Sequence, residues 1–190
     1  MRTHAMERNA LVAGAAAMGL VVLVSNVTVG YPINDWLTWG AFAYPLTFLV
    51  TDLTNRILGA ASARRVVYVG FAVGVLLSVI FASPRIGIAS GAAFLVAQLL
   101  DIWIFDRLRR QSWWKAPLIS SLLASALDTL VFFAGAFALT GLPWETWALG
   151  DYAAKLAMAA VLLAPFRAVL ANLPVEWRQA AAARPETNGA

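Results

Sequence analysis

The feature that most constrains this chain is a series of apolar runs, each close to the length needed to cross a membrane. A helix needs about 20 apolar residues to span roughly 30 Å of hydrocarbon. Each run is continuously apolar rather than alternating, which favours transmembrane helices over the strands of a barrel. The six predicted spans cover residues 10–29, 39–58, 66–83, 86–105, 117–140 and 147–170.

The amino-acid composition supports the same class of protein. Hydrophobic residues make up 61% of the 190-residue chain and charged residues only 13%. A soluble domain usually carries about 45–50% apolar and about 25% charged residues. The linkers are too short to form a second domain. We therefore expect an all-α polytopic protein in a lipid bilayer, with a six-helix transmembrane domain over residues 1–171 and a polar, loosely ordered tail over residues 172–190.

The positions of Lys and Arg predict the orientation, because basic residues are retained on the cytoplasmic side of a membrane. They precede the first predicted span, cluster after the second and fourth, and end or follow the sixth. The intervening loops hold only Arg85. Both termini are therefore predicted to be cytoplasmic. The net charge of +4 follows from this asymmetry, and nothing indicates a nucleic-acid partner, since no basic patch lies on a soluble fold.

Several enzyme classes are excluded by missing motifs. The chain contains no G-x-x-x-x-G-K-[ST], no H-E-x-x-H and no G-x-S-x-G sequence, so it lacks the standard ATP, zinc-protease and serine-hydrolase signatures. It also has no cysteine, which excludes thiolate catalysis and zinc–sulfur sites. We expect no enzyme activity and no cofactor. The G-x-x-x-G pairs at Gly70/Gly74 and Gly87/Gly91 are interpreted as helix-packing positions.

A small set of polar and charged side chains interrupts the apolar spans. A charge near the bilayer centre costs at least about 2.5–3.5 kcal/mol on insertion scales, so these residues predict a polar cavity or a buried ionic network. Adjacent spans joined by a short turn bring Asp128 and Lys155 to similar depth, and we expect them to pair. The set comprises Asn26, Asp52, Arg56, Gln98, Asp101, Asp128, Asp151 and Lys155.

Other interpretations of these charges stay open. Asp52 with Arg56, and Asp151 with Lys155, are spaced i, i+4 and could form intrahelical ion pairs that only neutralise each other. Arg56 could extend to the cytoplasmic interface, and Asp101 lies near enough to that end for the same interpretation. A cavity lined by carboxylates, a lysine, amides and aromatic rings suits a small, flat, polar solute. Transport is the class that the residues favour.

Four separated stretches of the sequence resemble the bacterial queuosine precursor transporter family, which is also grouped with the vitamin uptake transporters. They are WGAFAYPLTFLVTDLTNRILGAASARR, AQLLDIWIFDRLRR with the following WWKAP, SALDTLVFF and DYAAKLAMAAVLLAP. The resemblance covers residues 39–165, with a looser match at Ser25 and Asn26. It implies a six-helix inner-membrane importer of 7-deazaguanine bases, named preQ0 and preQ1, for the salvage of queuosine.

The chemistry of such a base suggests roles for the polar residues. Its paired N1–H and amino donors match one carboxylate, for which Asp52 is the leading candidate, and an aminomethyl cation gives a second carboxylate such as Asp128 or Asp101 a purpose. Arg56 would balance the charge of Asp52 or gate the cytoplasmic exit, and Pro45 is either a hinge or a tolerated kink. The candidate donors to O6 are Asn26, Gln98 and Lys155. The candidate stacking rings are Phe42, Tyr44 and Tyr152.

Three functions are compatible with the sequence. The leading one is a secondary transporter or facilitator of these bases. The second is a substrate-capture subunit that needs a separate energy-coupling ATPase complex, and the small-residue stretch LVAGAAAMGL of the first span would suit docking to such a partner. The third is an assembly or structural membrane protein whose charges only set helix register. The small scaffold favours a homodimer.

Overall fold

The computed structural model describes residues 2–28, 31–34, 36–81 and 83–184. The described residues form eight helices and one two-stranded antiparallel hairpin. The elements are α1 (Arg2–Thr28), β1 (Pro32–Asn34), β2 (Leu37–Thr38), α2 (Gly40–Ala43), α3 (Leu46–Leu58), α4 (Ala60–Phe81), α5 (Pro84–Leu108), α6 (Lys115–Phe137), α7 (Trp144–Asn172) and α8 (Val175–Ala183).

Five of these helices are long and apolar enough to cross a membrane: α1, α4, α5, α6 and α7. Five of the six predicted spans fall on them, one on each, so the all-α multi-pass class is confirmed. Four of these helices are longer than the spans predicted on them, and α6 is shorter by one residue. The sequence GAASARR, which lies between the second and third predicted spans, is helical from Ala60 onward, because only its first residue, Gly59, leaves the helical region of backbone conformation.

The predicted span over residues 39–58 is an interrupted helix. It divides into α2 and α3, and neither piece is long enough to count as a membrane span by itself. Pro45 causes the break, because it has no N–H to continue the backbone hydrogen bonds. Tyr44 and Pro45 keep right-handed helical backbone angles. The described residues therefore contain five candidate spans, and α2 and α3 are not among them.

Gly59 ends α3 with a backbone conformation that only glycine adopts easily. Its φ is 87° and its ψ is 167°, a region that other residues enter only at a cost of about 1–3 kcal/mol. The chain reverses there, and α4 begins at the next residue. Helix α3 is thus a 13-residue segment with a helix-breaking residue at each end.

Helix α3 lies at the centre of the bundle. It contacts all five long helices, and it also touches α8. The other main contacts join α1 with α4, α4 with α5, α5 with α6, and α6 with α7. The face of α3 that meets its neighbours is polar and buried, and it carries Thr47, Thr51, Asp52 and Asn55. Polar groups that a membrane excludes are therefore collected in the interior of the protein.

Glycines permit two of the close helix contacts. A Cβ placed on Gly70 would lie 2.6 Å from Met18 Cγ and 3.0 Å from Phe94 Cζ, so α4 crosses both α1 and α5 at this point. A Cβ on Gly87 would lie 3.1 Å from the Cβ of Ser78. The interpretation of these glycines as packing positions is confirmed.

Residues 172–184 are more ordered than the composition suggests. Residues 175–183 form α8 instead of the loosely ordered tail that we expected. Arg184 follows it, and its Nη2 lies 2.8 Å from Glu7 Oε1 at the start of α1. The two ends of the described chain therefore meet on one side of the bundle.

The antiparallel helices give the bundle two distinct ends. The hairpin end carries β1, β2 and the junctions of α4 with α5 and of α6 with α7. The basic end carries α8 and the junctions of α3 with α4 and of α5 with α6. Most of the basic residues lie toward the basic end: Arg56, Arg64, Arg65, Arg107, Arg109, Arg110, Lys115, Arg167, Arg178 and Arg184.

Candidate functional site

Packing of α6 against α7 brings Asp128 and Lys155 together deep in the bundle. Lys155 Nζ lies 2.7 Å from Asp128 Oδ2, and each of the two residues is 4% exposed. The predicted pairing across these two helices is confirmed. Lys155 Nζ also lies 2.5 Å from Asp151 Oδ2, one turn earlier on its own helix. Lys155 therefore contacts both of the aspartates that the sequence indicated as its possible partners.

Tyr44 and Thr129 complete this group. The Tyr44 hydroxyl donates to Asp128 Oδ1 at 2.8 Å, and the Thr129 hydroxyl donates to Asp151 Oδ2 at 2.8 Å. Lys155 Nζ donates to Thr129 Oγ1 at 3.1 Å and lies 5.2 Å from the centre of the Tyr44 ring. These five residues are called the Lys155 network below. Two carboxylates and one ammonium leave it with a formal charge of −2 + 1 = −1.

A large cavity runs from the hairpin end to the Lys155 network. Its volume is about 850 Å³, which lies in the range typical of small-molecule sites. Its floor is polar, because Tyr44, Asp128, Asp151 and Lys155 all line it. Its upper part includes polar groups from other elements, namely Ser25, Asn26, Asn34 and Ser90.

Aromatic rings form one wall of the large cavity. Phe132, Phe133 and Phe137 pack against one another, with ring centres 5.1 Å apart for Phe132 and Phe133 and 6.0 Å apart for Phe132 and Phe137. Trp147 stands edge-on to Phe137 at 5.7 Å. These phenylalanines were not among the residues predicted from the sequence. Their positions four, five and nine residues after Asp128 were the available signal.

A small second cavity lies on the other side of Lys155. Its volume is about 10 Å³, room for about one water molecule. Its polar lining comprises Asp52, Ser121, Ser125 and Lys155. Lys155 lines both cavities, so the Lys155 network separates them. In this conformation a solute in the large cavity does not reach Asp52.

Asp52 is buried, and its carboxyl group contacts two serine hydroxyls and not Arg56, the partner that its i, i+4 spacing offered. The Ser120 and Ser121 hydroxyls approach its two oxygens at 3.5 and 3.4 Å. The Arg56 guanidinium donates to the backbone carbonyl of Arg109, and among the described residues it forms no ion pair with Asp52. Arg56 lines neither cavity and lies on the basic end.

Gln98 and Asp101 lie between α3 and α5, and each is 0% exposed. The Gln98 amide donates to Thr47 Oγ1 at 2.8 Å and accepts from Thr51 Oγ1 at 2.6 Å. The interfacial interpretation of Asp101 is wrong, because its side chain is fully enclosed by protein. Neither residue lines either cavity, so this conformation does not bring them to the solute site.

Of the three remaining candidates, one lines the large cavity and two contact other parts of the protein. Asn26 lines the large cavity, and its Nδ2 donates to the Val22 carbonyl at 2.8 Å on its own helix. Phe42 lies against Trp39 with ring centres 6.4 Å apart, and the Tyr152 hydroxyl donates to the Leu122 carbonyl at 3.4 Å. Neither of these two rings lines a cavity. The residues singled out in the sequence that meet around the large cavity are Asn26, Tyr44, Asp128, Asp151 and Lys155.

Comparison with known proteins assigns the chain to a family. Residues 38–83 and 77–170 match the family model described as "Putative vitamin uptake transporter". The queuosine precursor transporter of Escherichia coli strain K12 is 36% identical over 183 residues, a match covering 81% of this chain and 83% of that protein. The chain belongs to the queuosine precursor transporter family.

Two further members of the queuosine precursor transporter family are also similar. The "Probable queuosine precursor transporter" of Haemophilus influenzae is 40% identical over 162 residues, covering 72% of this chain and 69% of that protein. The protein of the same name from Bacillus subtilis is 29% identical over 157 residues, covering 66% and 68%. No solved structure matches the chain. Membership identifies the chain as a multi-pass transporter and not an enzyme.

Proposed function

We propose that this protein imports queuosine precursor bases of the 7-deazaguanine class, preQ0 and preQ1, across a bacterial inner membrane as a secondary transporter or facilitator. The main support is the large cavity, which ends at a buried ionic network and has an aromatic wall. The relatives named above as queuosine precursor transporters support the substrate class.

The large cavity matches the chemistry of a 7-deazaguanine group by group. The base presents N1–H and a 2-amino group side by side, and one carboxylate accepts both. Asp151 is better placed for this than Asp128, because its side chain is 19% exposed against 5%. Lys155 donates to O6, and the phenylalanine wall stacks on the ring faces. The charge of −1 at the floor favours the aminomethyl cation of preQ1.

The distribution of basic residues favours a periplasmic hairpin end and a cytoplasmic basic end. In this arrangement α2 and α3 together form the sixth crossing, and both termini are cytoplasmic. The large cavity then opens to the periplasm, and the path inward runs through the Lys155 network to the small cavity. We keep the homodimer as part of the proposal, to be tested by the mass of the purified protein in detergent.

Binding and exchange with purified protein test the proposal. Wild-type protein should bind preQ0 and preQ1 saturably and discriminate against adenine, which lacks the N1–H and 2-amino donors. In liposomes that contain only this protein, internal unlabelled base should drive entry of labelled base. Glu145→Gln is a matched control, because Glu145 is exposed on the hairpin end and its charge is removed without touching the floor of the cavity. Absence of binding would contradict the proposal, and binding without exchange would favour the substrate-capture subunit.

A further inference from the structure

Helix α3 meets α5 through a row of buried polar contacts. Thr47 and Thr51 hydrogen-bond Gln98, and Asn55 Nδ2 donates to the Ile102 carbonyl at 3.1 Å one turn further on. Asp52 and Asp101 occupy the level between these two contacts. Every other group in the row has a donor matched to an acceptor, whereas this level brings two carboxyl groups together.

The two carboxyl groups need a proton to form a hydrogen bond. Asp52 is 2% and Asp101 0% exposed, and their carboxyl groups lie beside each other with the Ser120 hydroxyl. Neither Asp101 oxygen has a hydrogen-bond partner among the described residues. Two carboxylates are both acceptors only. One proton between them turns the contact into a hydrogen bond from a carboxylic acid to a carboxylate.

The cations on the surrounding helices are engaged elsewhere. On α3, Arg56 donates to the Arg109 carbonyl. After α5, Arg109 contacts Asp106 at 2.9 Å and Asn55 at 2.7 Å. On α7, Lys155 is held by its two aspartates, and α6 presents Ser120 and Ser121. Within the described residues, therefore, no ion pair neutralises Asp52 or Asp101.

We propose that Asp52 and Asp101 bind a shared proton that drives import, so that one proton crosses inward with each base. This inference rests on the proposed function. With the proton in place, the pair joins α3 to α5 by a hydrogen bond. Without it, two like charges repel at contact distance inside the protein, where the effective dielectric is low. Loss of the proton thus pushes α3 away from α5.

The position of α3 connects this repulsion to the transport path. The helix is free to tilt as a unit, because Pro45 and Gly59 break the backbone ladder at its two ends. Asp52, Phe48 and Leu49 of α3 line the small cavity beneath the Lys155 network. Displacement of α3 enlarges that cavity and gives the base a way toward the cytoplasm. The proton leaves to the cytoplasm, and a periplasmic proton restores the pair.

Asp101→Asn is the main test variant, because Asp101 lines neither cavity and asparagine has nearly the same shape. In liposomes, the wild type should accumulate base when an inward proton gradient is imposed, and should acidify the interior as the base enters. Asp101→Asn should lose both effects while it keeps base binding and base exchange at equal pH. Asp52→Asn, the second variant, should lose the same two effects. Glu145→Gln should behave as the wild type.

A spectroscopic readout is independent of transport. The infrared spectrum of wild-type protein at neutral pH should contain the C=O band of a protonated, hydrogen-bonded carboxyl group, and this band should be absent from Asp101→Asn and Asp52→Asn. Accumulation that follows a sodium gradient instead, or proton-driven accumulation retained by Asp101→Asn, would overturn the proposal. Base exchange without proton dependence would overturn only this inference, whereas absence of exchange would overturn the proposed function as well.

Discussion

Single side chains define the chemistry of this protein, since each buried charge has a different environment. Lys155 contacts two carboxylates and a threonine hydroxyl, so its charge is compensated although it is only 4% exposed. Asp52 and Asp101 have no such cation among the described residues. A buried charge without compensation is costly. The first group is therefore suited to hold a polar solute, and the second to exchange a proton.

Breaking the Lys155 network should abolish uptake. Removal of one partner from a buried ion pair typically costs about 3–5 kcal/mol, and Asp128→Asn and Lys155→Met should each eliminate base uptake into cells. The double variant should be much less harmful than the sum of the two effects, because both changes remove the same interaction. Uptake of labelled base, corrected for the amount of inserted protein, measures this cycle. Simple additivity would show that the two side chains act independently.

The Tyr44 hydroxyl should contribute more than that of Tyr152. Tyr44 donates to an aspartate at 2.8 Å, whereas Tyr152 donates to a backbone carbonyl at 3.4 Å. A hydrogen bond to a charged group contributes about 1.5–3 kcal/mol and a neutral one about 1 kcal/mol. Tyr44→Phe should therefore lower the thermal unfolding temperature in detergent, and the control Tyr152→Phe should lower it less. Equal shifts would mean that the Tyr44 bond is not maintained in solution.

At the scale of elements, α3 differs from the long helices in its length and its ends. It has 13 residues, and its buried face is polar, as is that of α6. The long helices around it are continuous. A short segment with breaks at both ends moves at lower cost than a continuous helix, because few backbone hydrogen bonds change. The proposed transport path and the proposed proton pair both depend on this segment.

Gly59→Ala tests the lower break of α3. An alanine at φ 87° and ψ 167° is strained by about 1–3 kcal/mol, so this variant should unfold at a lower temperature than the wild type. Gly19→Ala is the matched control. Gly19 lies inside α1, and a Cβ there would meet Val73 at the ordinary contact distance of 3.8 Å. The control should unfold at the wild-type temperature or above, and an unaffected Gly59→Ala would contradict the assigned backbone conformation.

At the scale of the whole molecule, two cavities of different size lie on opposite sides of the Lys155 network. The hairpin end and the basic end of the protein are therefore not equivalent. The large cavity reaches the hairpin end, and the small one, with room for about one water molecule, lies on the basic side of Lys155. The structure thus has the form of a transporter with one entrance open. In the orientation that we propose from the positive-inside rule, the open side is periplasmic.

Cysteine labelling tests that orientation, since the natural chain contains no cysteine. Glu145→Cys on the hairpin end should react in intact cells, after opening of the outer membrane, with a thiol reagent that does not cross the inner membrane. Gln111→Cys, between α5 and α6, should react only after the inner membrane is broken. Both positions are exposed, so accessibility is matched. Labelling of Gln111→Cys in intact cells would reverse the proposed direction of import.

The sequence by itself determined the class of fold and the pairing of Asp128 with Lys155. Both follow from local, one-dimensional quantities. Apolar run length reports a membrane helix, and the rise per residue along two helices joined by a short turn sets the depth of their side chains. The family could also be recognised from the four stretches of sequence that resemble it. The break at Pro45 was visible as a proline, but the sequence left open whether it is a hinge or a tolerated kink.

Only the tertiary structure decided which polar residues line the large cavity. Asp52, Gln98 and Asp101 look equivalent to Asp128 in the sequence, yet they lie between α3 and α5 and away from the large cavity. The direction that a side chain takes depends on helix rotation and on which helices become neighbours, and neither is encoded in the spacing along one helix. For the same reason the phenylalanine wall and the contact between Asp52 and Asp101 emerge only when three or four helices are packed together.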